Sequence, residues 1–346
     1  MELLDDANII KQRDPFDALG VAAKEWEQVQ FQLEIARPPQ QTGVITQVVV
    51  AGMGGSALGA GLLKDWLNLS VPFEIIKTYN LPAYVGTQTL VIADSYSGNT
   101  EETIAAAHEA HAAGAQVAIV ASGGKLLALA EEHGYPSVSL PDDFQPRMGV
   151  LANANAMLRL LHAFGVVGQD KLDEFISSAE WLQEQATAWL PSVPAEQNMA
   201  KQLAWKCAGK SPVMYASSQF RAVAYKWKIS FNENAKNIAW WNELPEFNHN
   251  EFIGWSSHPV EKPYAVIDLR SSFDHAQIQK RFEISDRLLS GQRPASVDIE
   301  LQGESIIKQM LWGSLMADFV TIYLALLNQV DPTKVVLVEK LKIELV

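Results

Sequence analysis

A chain of 346 residues that is 48% hydrophobic and 19% charged carries enough apolar surface for about two domain cores, which excludes disorder over most of its length. Its formal charge of −13 repels a nucleic-acid backbone, and no basic patch offsets it, so nucleic acid is excluded as a partner. The single cysteine, Cys207, can form neither an internal disulfide nor a thiol metal site, which fits a reducing compartment.

The chain opens Met1-Glu2-Leu3-Leu4-Asp5-Asp6, acidic where a secretory signal is basic, and this predicts a cytoplasmic protein. Residues 44–63 carry no charge over a length that could span a bilayer. Glycines and the polar Thr46, Gln47 and Ser56 interrupt them, so they read as strand, glycine turn and helix, and no membrane partner is expected. Short β-branched runs then follow at 47–51, 73–78, 90–94, 116–121 and 137–140, separated by amphipathic stretches at 58–67, 101–113 and 125–133. This alternation predicts a mainly parallel sheet flanked by helices, with ligands gathering at the carboxyl ends of its strands.

The pattern over 151–189 is helical until Pro191 and Pro194 interrupt it. A second alternating region has strand candidates at 212–216, 264–269 and 296–301, with helices starting at Arg221 and His275 and another over 305–329. The expected division is residues 1–160 as an N-terminal α/β domain with a leading helical segment, 161–195 as a helical connector, and 196–346 as a C-terminal α/β domain. The two halves share an echo: Val48-Val49-Val50-Ala51 runs through Gly54-Gly55-Ser56 into a helix, and Val213-Met214-Tyr215-Ala216 runs through Ser217-Ser218 into another.

Two turns carry chemistry. Gly52-Met53-Gly54-Gly55-Ser56-Ala57 lies between a strand and a helix, where backbone N–H groups can converge on an anion and glycines let them come close. The same glycines would serve a plain strand–helix turn. They also match a dinucleotide fingerprint, but that pattern needs an acidic residue at the end of the next strand, where this chain has Lys77-Thr78-Tyr79-Asn80. The second turn, Asp94-Ser95-Tyr96-Ser97-Gly98-Asn99-Thr100, sets three hydroxyls around one glycine at the start of a helix. A helix cap needs one hydroxyl, so the surplus points to a phosphate.

These turns, together with Asn232-Glu233-Asn234-Ala235-Lys236 and Glu243-Leu244-Pro245-Glu246-Phe247-Asn248-His249-Asn250-Glu251, resemble the bifunctional phosphoglucose/phosphomannose isomerases from about Val48 to the C-terminus. The first two blocks mark any sugar-isomerase (SIS) domain, and the last two are more specific. The resemblance implies two SIS-type domains of flavodoxin-like three-layer α/β/α form, and an aldose–ketose isomerase that joins glucose 6-phosphate and mannose 6-phosphate to fructose 6-phosphate through a cis-enediol(ate). It implies phosphate binding by Gly55, Ser56, Ser95, Ser97 and Thr100, Glu233 as the base, and His249 as the ring-opening acid delivered by the partner subunit of a homodimer. Arg147 would stabilise the enediolate and Lys342 would approach the ring oxygen or the phosphate. No cofactor and no metal are implied. Trp240, Trp241 and Trp255 could line a sugar pocket or pack in a core or interface.

Two other readings compete. A non-catalytic sugar-phosphate sensor would need an effector segment and has no use for Glu233 with His249. An isomerase for another phosphosugar, such as the isomerase half of an amidotransferase, would be expected to follow a glutaminase domain.

Overall fold

Each stretch of strand–helix alternation builds its own sheet in the computed structural model, which describes residues 2–40, 43–257 and 263–345. The contacts divide the chain into a contiguous unit, Lys24–Gln183, and a two-segment unit, Met1–Ala23 with Glu184–Val346.

The contiguous unit holds β1 (Ile35–Ala36), β2 (Gln47–Gly52), β3 (Phe73–Ile76), β4 (Thr89–Asp94), β5 (Gln116–Ala121) and β6 (Ser137–Ser139), ordered β1-β6-β5-β4-β2-β3. Strands β2 to β6 are parallel, and the two-residue β1 closes one edge against β6 in antiparallel sense. β4 is buried at every position, as a central strand covered on both faces must be. On one face Val49, Val91, Ala93, Val117 and Ile119 pack with Ala107 and Ala110 of the helix Glu101–Ala112 and Leu126 and Ala130 of the helix Gly124–His133. Val48, Val50, Leu90 and Ile92 alternate to the opposite face. There the helix Gly54–Leu67 meets the helix Val150–Ala163 so closely that a Cβ on Gly59 would stand 3.0 Å from the Ala154 nitrogen.

The two-segment unit holds β7 (Ser211–Ser217), β8 (Trp240–Leu244), β9 (Tyr264–Arg270) and β10 (Val297–Glu300), all parallel in the order β10-β9-β7-β8. The helix Ile306–Asn328 is long and apolar enough to cross a membrane by length and composition, but 94% of its apolar window is buried inside the protein. It is instead the central core helix of this unit. The helix Arg221–Glu233 packs on it through a buried polar knot. Lys226 Nζ reaches Asp318 Oδ2 at 2.5 Å, Ser230 Oγ donates to Asp318 Oδ1 at 2.9 Å, and Trp227 Nε1 donates to the Gly313 carbonyl at 2.8 Å.

This division departs from the expected boundaries at both ends of the first domain. Residues 1–23 pack with the second half of the chain, because the buried Lys201 ammonium donates to Asp5 Oδ1 and to the carbonyls of Pro191 and Val193, each at 2.8 Å. Arg13 also donates to the Leu326 carbonyl at 2.6 Å. The expected connector is likewise shared out: Phe175 packs on Trp66 with ring centroids 6.2 Å apart, which keeps residues 161–183 in the contiguous unit.

Candidate active site

Parallel pairing sets Gly52 of β2 beside Asp94 of β4, so the two glycine-containing turns leave the sheet at adjacent strand ends. The helices that follow, Gly54–Leu67 and Glu101–Ala112, begin at Met53 and Thr100, and neither of these residues makes a side-chain cap hydrogen bond. The Ser56 N–H turns back to the Met53 carbonyl at 3.2 Å and the Thr100 N–H to Ser95 Oγ at 3.4 Å, and both helix starts keep the positive end of their dipole toward the strand ends. Gly54 adopts φ +52°, which glycine reaches without a steric cost. Gly55 admits no side chain at all, because a Cβ there would lie 2.3 Å from the Pro146 carbonyl oxygen.

A hydrogen bond from the Tyr96 N–H to Ser56 Oγ at 3.3 Å ties one turn to the other. In the second turn, Ser95 Oγ lies 2.7 Å from Thr100 Oγ1, Ser95 is buried and Ser97 is exposed. Ser56, Ser95 and Thr100 are thus linked across the two turns, and the exposed Ser97 hydroxyl accepts from the Asn99 N–H at 3.3 Å. Asn99 does not cap its own helix: its Oδ1 accepts from the Lys125 N–H at 3.1 Å and fastens the turn to the start of the helix Gly124–His133. Arg147, in the 3-10 turn Pro146–Met148, is 1% exposed, unlike an ordinary loop arginine, and its backbone segment is the one that presses on Gly55.

Beneath these groups sits a residue that sequence reading passed over. Asp94 is fully buried, and neither carboxylate oxygen has a hydrogen-bond partner of good geometry among the described residues. Burial raises its pKa to about 7, partly opposed by the Ser56 hydroxyl, because a low-polarity surround disfavours the charged form. A single acidic residue at the end of an apolar run, Leu90-Val91-Ile92-Ala93-Asp94, was the available signal.

The second-half residues lie in the two-segment unit. Glu233 ends its helix half-buried and lines a groove of about 770 Å³ with Asn232, Lys236, Trp240 and the segment around Lys334 and Val338. Lys236 does not extend into that groove as a free cation. At φ +52° it turns back, and its ammonium donates to the carbonyls of Glu233 at 2.9 Å, Asn234 at 3.3 Å and Asp331, closing the negative end of the helix.

His249 is exposed on the 3-10 turn Glu246–His249 after β8 and is not among the residues lining this groove. Lys342 falls in the helix Val336–Glu344, and its side chain lies outside the described residues. Of the tryptophans, Trp240 borders the groove, Trp241 stacks on Tyr225 at 5.6 Å, and Trp255 is a core residue whose Nε1 donates to the Tyr215 hydroxyl at 3.1 Å.

The strand–turn–helix echo at Ser217-Ser218 lacks the glycines, and the Ser218 hydroxyl is spent on the Leu244 carbonyl at 3.1 Å, so it is no second cradle. Asp268, Asp286 and Asp298 approach one another within 4.8 Å. Arg270 and Arg293 bridge them, with Asp286 held at 2.7 and 2.6 Å, so guanidinium groups already supply the positive charge there. Burial pushes the Cys207 thiol up to about 12, which makes it an inert packed side chain.

Comparison with known proteins adds a lineage to this geometry. Residues 196–345 match the family described as the bacterial phospho-glucose isomerase C-terminal SIS domain. The bifunctional phosphoglucose/phosphomannose isomerase of Caldicellulosiruptor bescii is 36% identical over 304 residues, covering 86% of this chain and 89% of that protein. The D-glucosamine-6-phosphate 4-epimerase of Sulfolobus acidocaldarius is 32% identical over 240 residues, covering 68% and 72%. Among solved structures, a glucose-6-phosphate isomerase like protein from Thermus thermophilus superposes with a TM-score of 0.65 at 19% identity over 98% of both chains. That likeness speaks to the fold, which is of the SIS type with mainly parallel sheets flanked by helices.

Proposed function

The chain belongs to the bifunctional phosphoglucose/phosphomannose isomerases, and from that premise we propose that it interconverts glucose 6-phosphate and mannose 6-phosphate with fructose 6-phosphate through a cis-enediol(ate). The observation that carries this reading is the pair of uncapped helix N-termini joined by the Tyr96–Ser56 hydrogen bond, a neutral cradle suited to an anion in a protein whose overall charge repels one. The substrate phosphate rests on the Gly55 and Ser56 backbone and on the hydroxyls of Ser56, Ser95, Ser97 and Thr100.

Isomerisation between adjacent carbons needs a base for a carbon-bound proton, an acid to open the ring and a positive group for the charge that develops. Glu233 is assigned the proton transfer between carbons 1 and 2. His249 is assigned ring opening, since imidazole both gives and takes protons near neutral pH. Its exposure, away from the groove that Glu233 lines, favours delivery to a second copy of the chain and hence a homodimer. Arg147 is assigned the enediolate oxygen, and Lys342 the ring oxygen or phosphate. The chemistry proceeds without metal or nucleotide, in the cytoplasm.

A coupled assay on both aldose phosphates, without added metal or nucleotide, is expected to show turnover to fructose 6-phosphate. The Glu233→Gln variant is expected to lose about 10²–10⁴-fold in kcat, the usual worth of a general base, with KM little changed. Near-normal turnover by that variant discards its role as base. Inversion at carbon 4 of glucosamine 6-phosphate, with no change at carbon 2 of glucose 6-phosphate, overturns the isomerase reading.

A further inference from the structure

Asp94 is out of place by the ordinary rules of a parallel sheet. A central strand end carries a carboxyl group with no exposure and no good hydrogen-bond partner among the described residues, a state that burial alone disfavours. The Ser56 hydroxyl lies against it and lowers its pKa, and the same hydroxyl accepts from the Tyr96 N–H. A serine hydroxyl has one proton to donate and two lone pairs to accept with. The protonation state of Asp94 therefore decides where the Ser56 proton points.

We infer that Asp94 is a positioning residue for the substrate phosphate, acting through Ser56. As a neutral acid, Asp94 donates to Ser56 Oγ and leaves the serine proton free for a phosphate oxygen. As a carboxylate, it draws that proton inward and sets a negative charge behind the bound anion. This rests on the reading of the two turns as the phosphate site.

Burial, ahead of any neighbouring charge, is the main influence on this titration. β2 and β5, which flank Asp94 in the sheet, carry no charged residue. On the helix Gly54–Leu67 the charges are Lys64 and Asp65, roughly 12 Å or more along the axis from Ser56 at 1.5 Å per residue. The helix Val150–Ala163 carries His162 and Arg159, and Arg159 is committed to Asn155 Oδ1 at 2.8 Å and the Phe31 carbonyl at 3.0 Å. Glu101 and Glu102 open the helix beyond Thr100, which carries His108, Glu109 and His111 two turns or more further on, and Tyr96 gives its phenolic proton to the Pro141 carbonyl at 2.7 Å. Arg147 is the buried cation beside the cradle. With its pKa near 7, Asp94 changes state across the physiological range.

The test is the affinity of fructose 6-phosphate for the whole protein, measured by calorimetry between pH 6.5 and pH 8.5, where the sugar phosphate is largely dianionic. Affinity in the wild type is expected to fall about tenfold over that interval, as a group titrating near 7 goes from mostly protonated to almost fully ionised. Asp94→Asn, a neutral isostere, is expected to hold the acid-side affinity with less than about twofold change. A flat wild-type profile overturns the proposal, and so does an Asp94→Asn profile that keeps the wild-type slope; both leave the phosphate site itself standing. Absence of binding at every pH in the wild type overturns the site as well.

Discussion

At Gly98 the chain turns with φ +67°, and a Cβ there would fall 1.8 Å from the Gly123 carbonyl oxygen. Gly124, at φ +70°, faces the Ser97 carbonyl at 2.6 Å by the same measure. Two glycine turns distant in sequence are thus pressed backbone to backbone, and this holds the Ser95 to Thr100 turn rigidly. The glycine within Ser97-Gly98-Asn99 was legible as a turn former, because its role is local. The need for Gly124 was not, because it arises only from a neighbour that the sheet brings alongside. Asp94 was hidden for a related reason: its burial comes from β2 and β5 on either side. That burial has an energetic signature. Its folded pKa lies above the unfolded value of about 4, so the native state holds the proton more tightly, and stability falls as pH rises from about 4 to about 7, then levels. Asp94→Asn cannot titrate. Its unfolding free energy relative to wild type, read from denaturant melts, is therefore expected to be more favourable at pH 8 than at pH 4, by up to about 4 kcal/mol at 1.36 kcal/mol per pKa unit. Equal differences at the two pH values would contradict the burial argument.

The helix Arg221–Glu233 shows how an element is held for chemistry from both ends of its buried face. Asp318 takes the Lys226 ammonium, the Ser230 hydroxyl and the Asn234 amide, the last at 3.2 Å, so a single carboxylate fixes the three turns that lead to Glu233. Lys236 closes the same end from outside. Removing one partner of a buried ion pair leaves the other charge stranded and costs about 3–5 kcal/mol. Asp318→Ala is accordingly expected to lower the melting temperature. In Asp318→Asn, which keeps the side chain's size, kcat is expected to drop while KM for the sugar phosphate stays near wild type, because the phosphate turns belong to the other unit. An unchanged kcat in a folded Asp318→Asn variant would show that the knot serves stability alone. Strands at 47–51, 116–121 and 264–269 were readable from β-branched runs to within a residue or two. β8 was not, since Trp240-Trp241-Asn242-Glu243-Leu244 offers neither strict alternation nor a β-branched residue. It becomes a strand because β7 pairs with it in parallel register, Tyr215 opposite Asn242.

Over the whole molecule, the α/β class and the two strand–turn–helix loops were written in local pattern, whereas the assignment of chain segments to units depended on pairings such as Asp5 with Lys201 that no local pattern announces. The distribution of the proposed catalytic groups leads to a test of assembly. If His249 serves the partner's site, mixing inactive Glu233→Gln and His249→Ala chains under conditions of subunit exchange creates heterodimers with one intact site of two. Recovery of about a quarter of wild-type activity is then expected from random pairing in a two-fold dimer. No recovery, with heterodimers confirmed by mass, would confine each site to one chain.

Asp5 and Arg13 are synthesised well before Lys201 and Leu326, the groups on which they dock. At about 5–20 residues per second the opening segment waits on the order of ten seconds or more for its docking surface, while residues 24–183 can already close their own sheet. Nascent chains should therefore become protease-resistant over residues 24–183 before they do over residues 7–22.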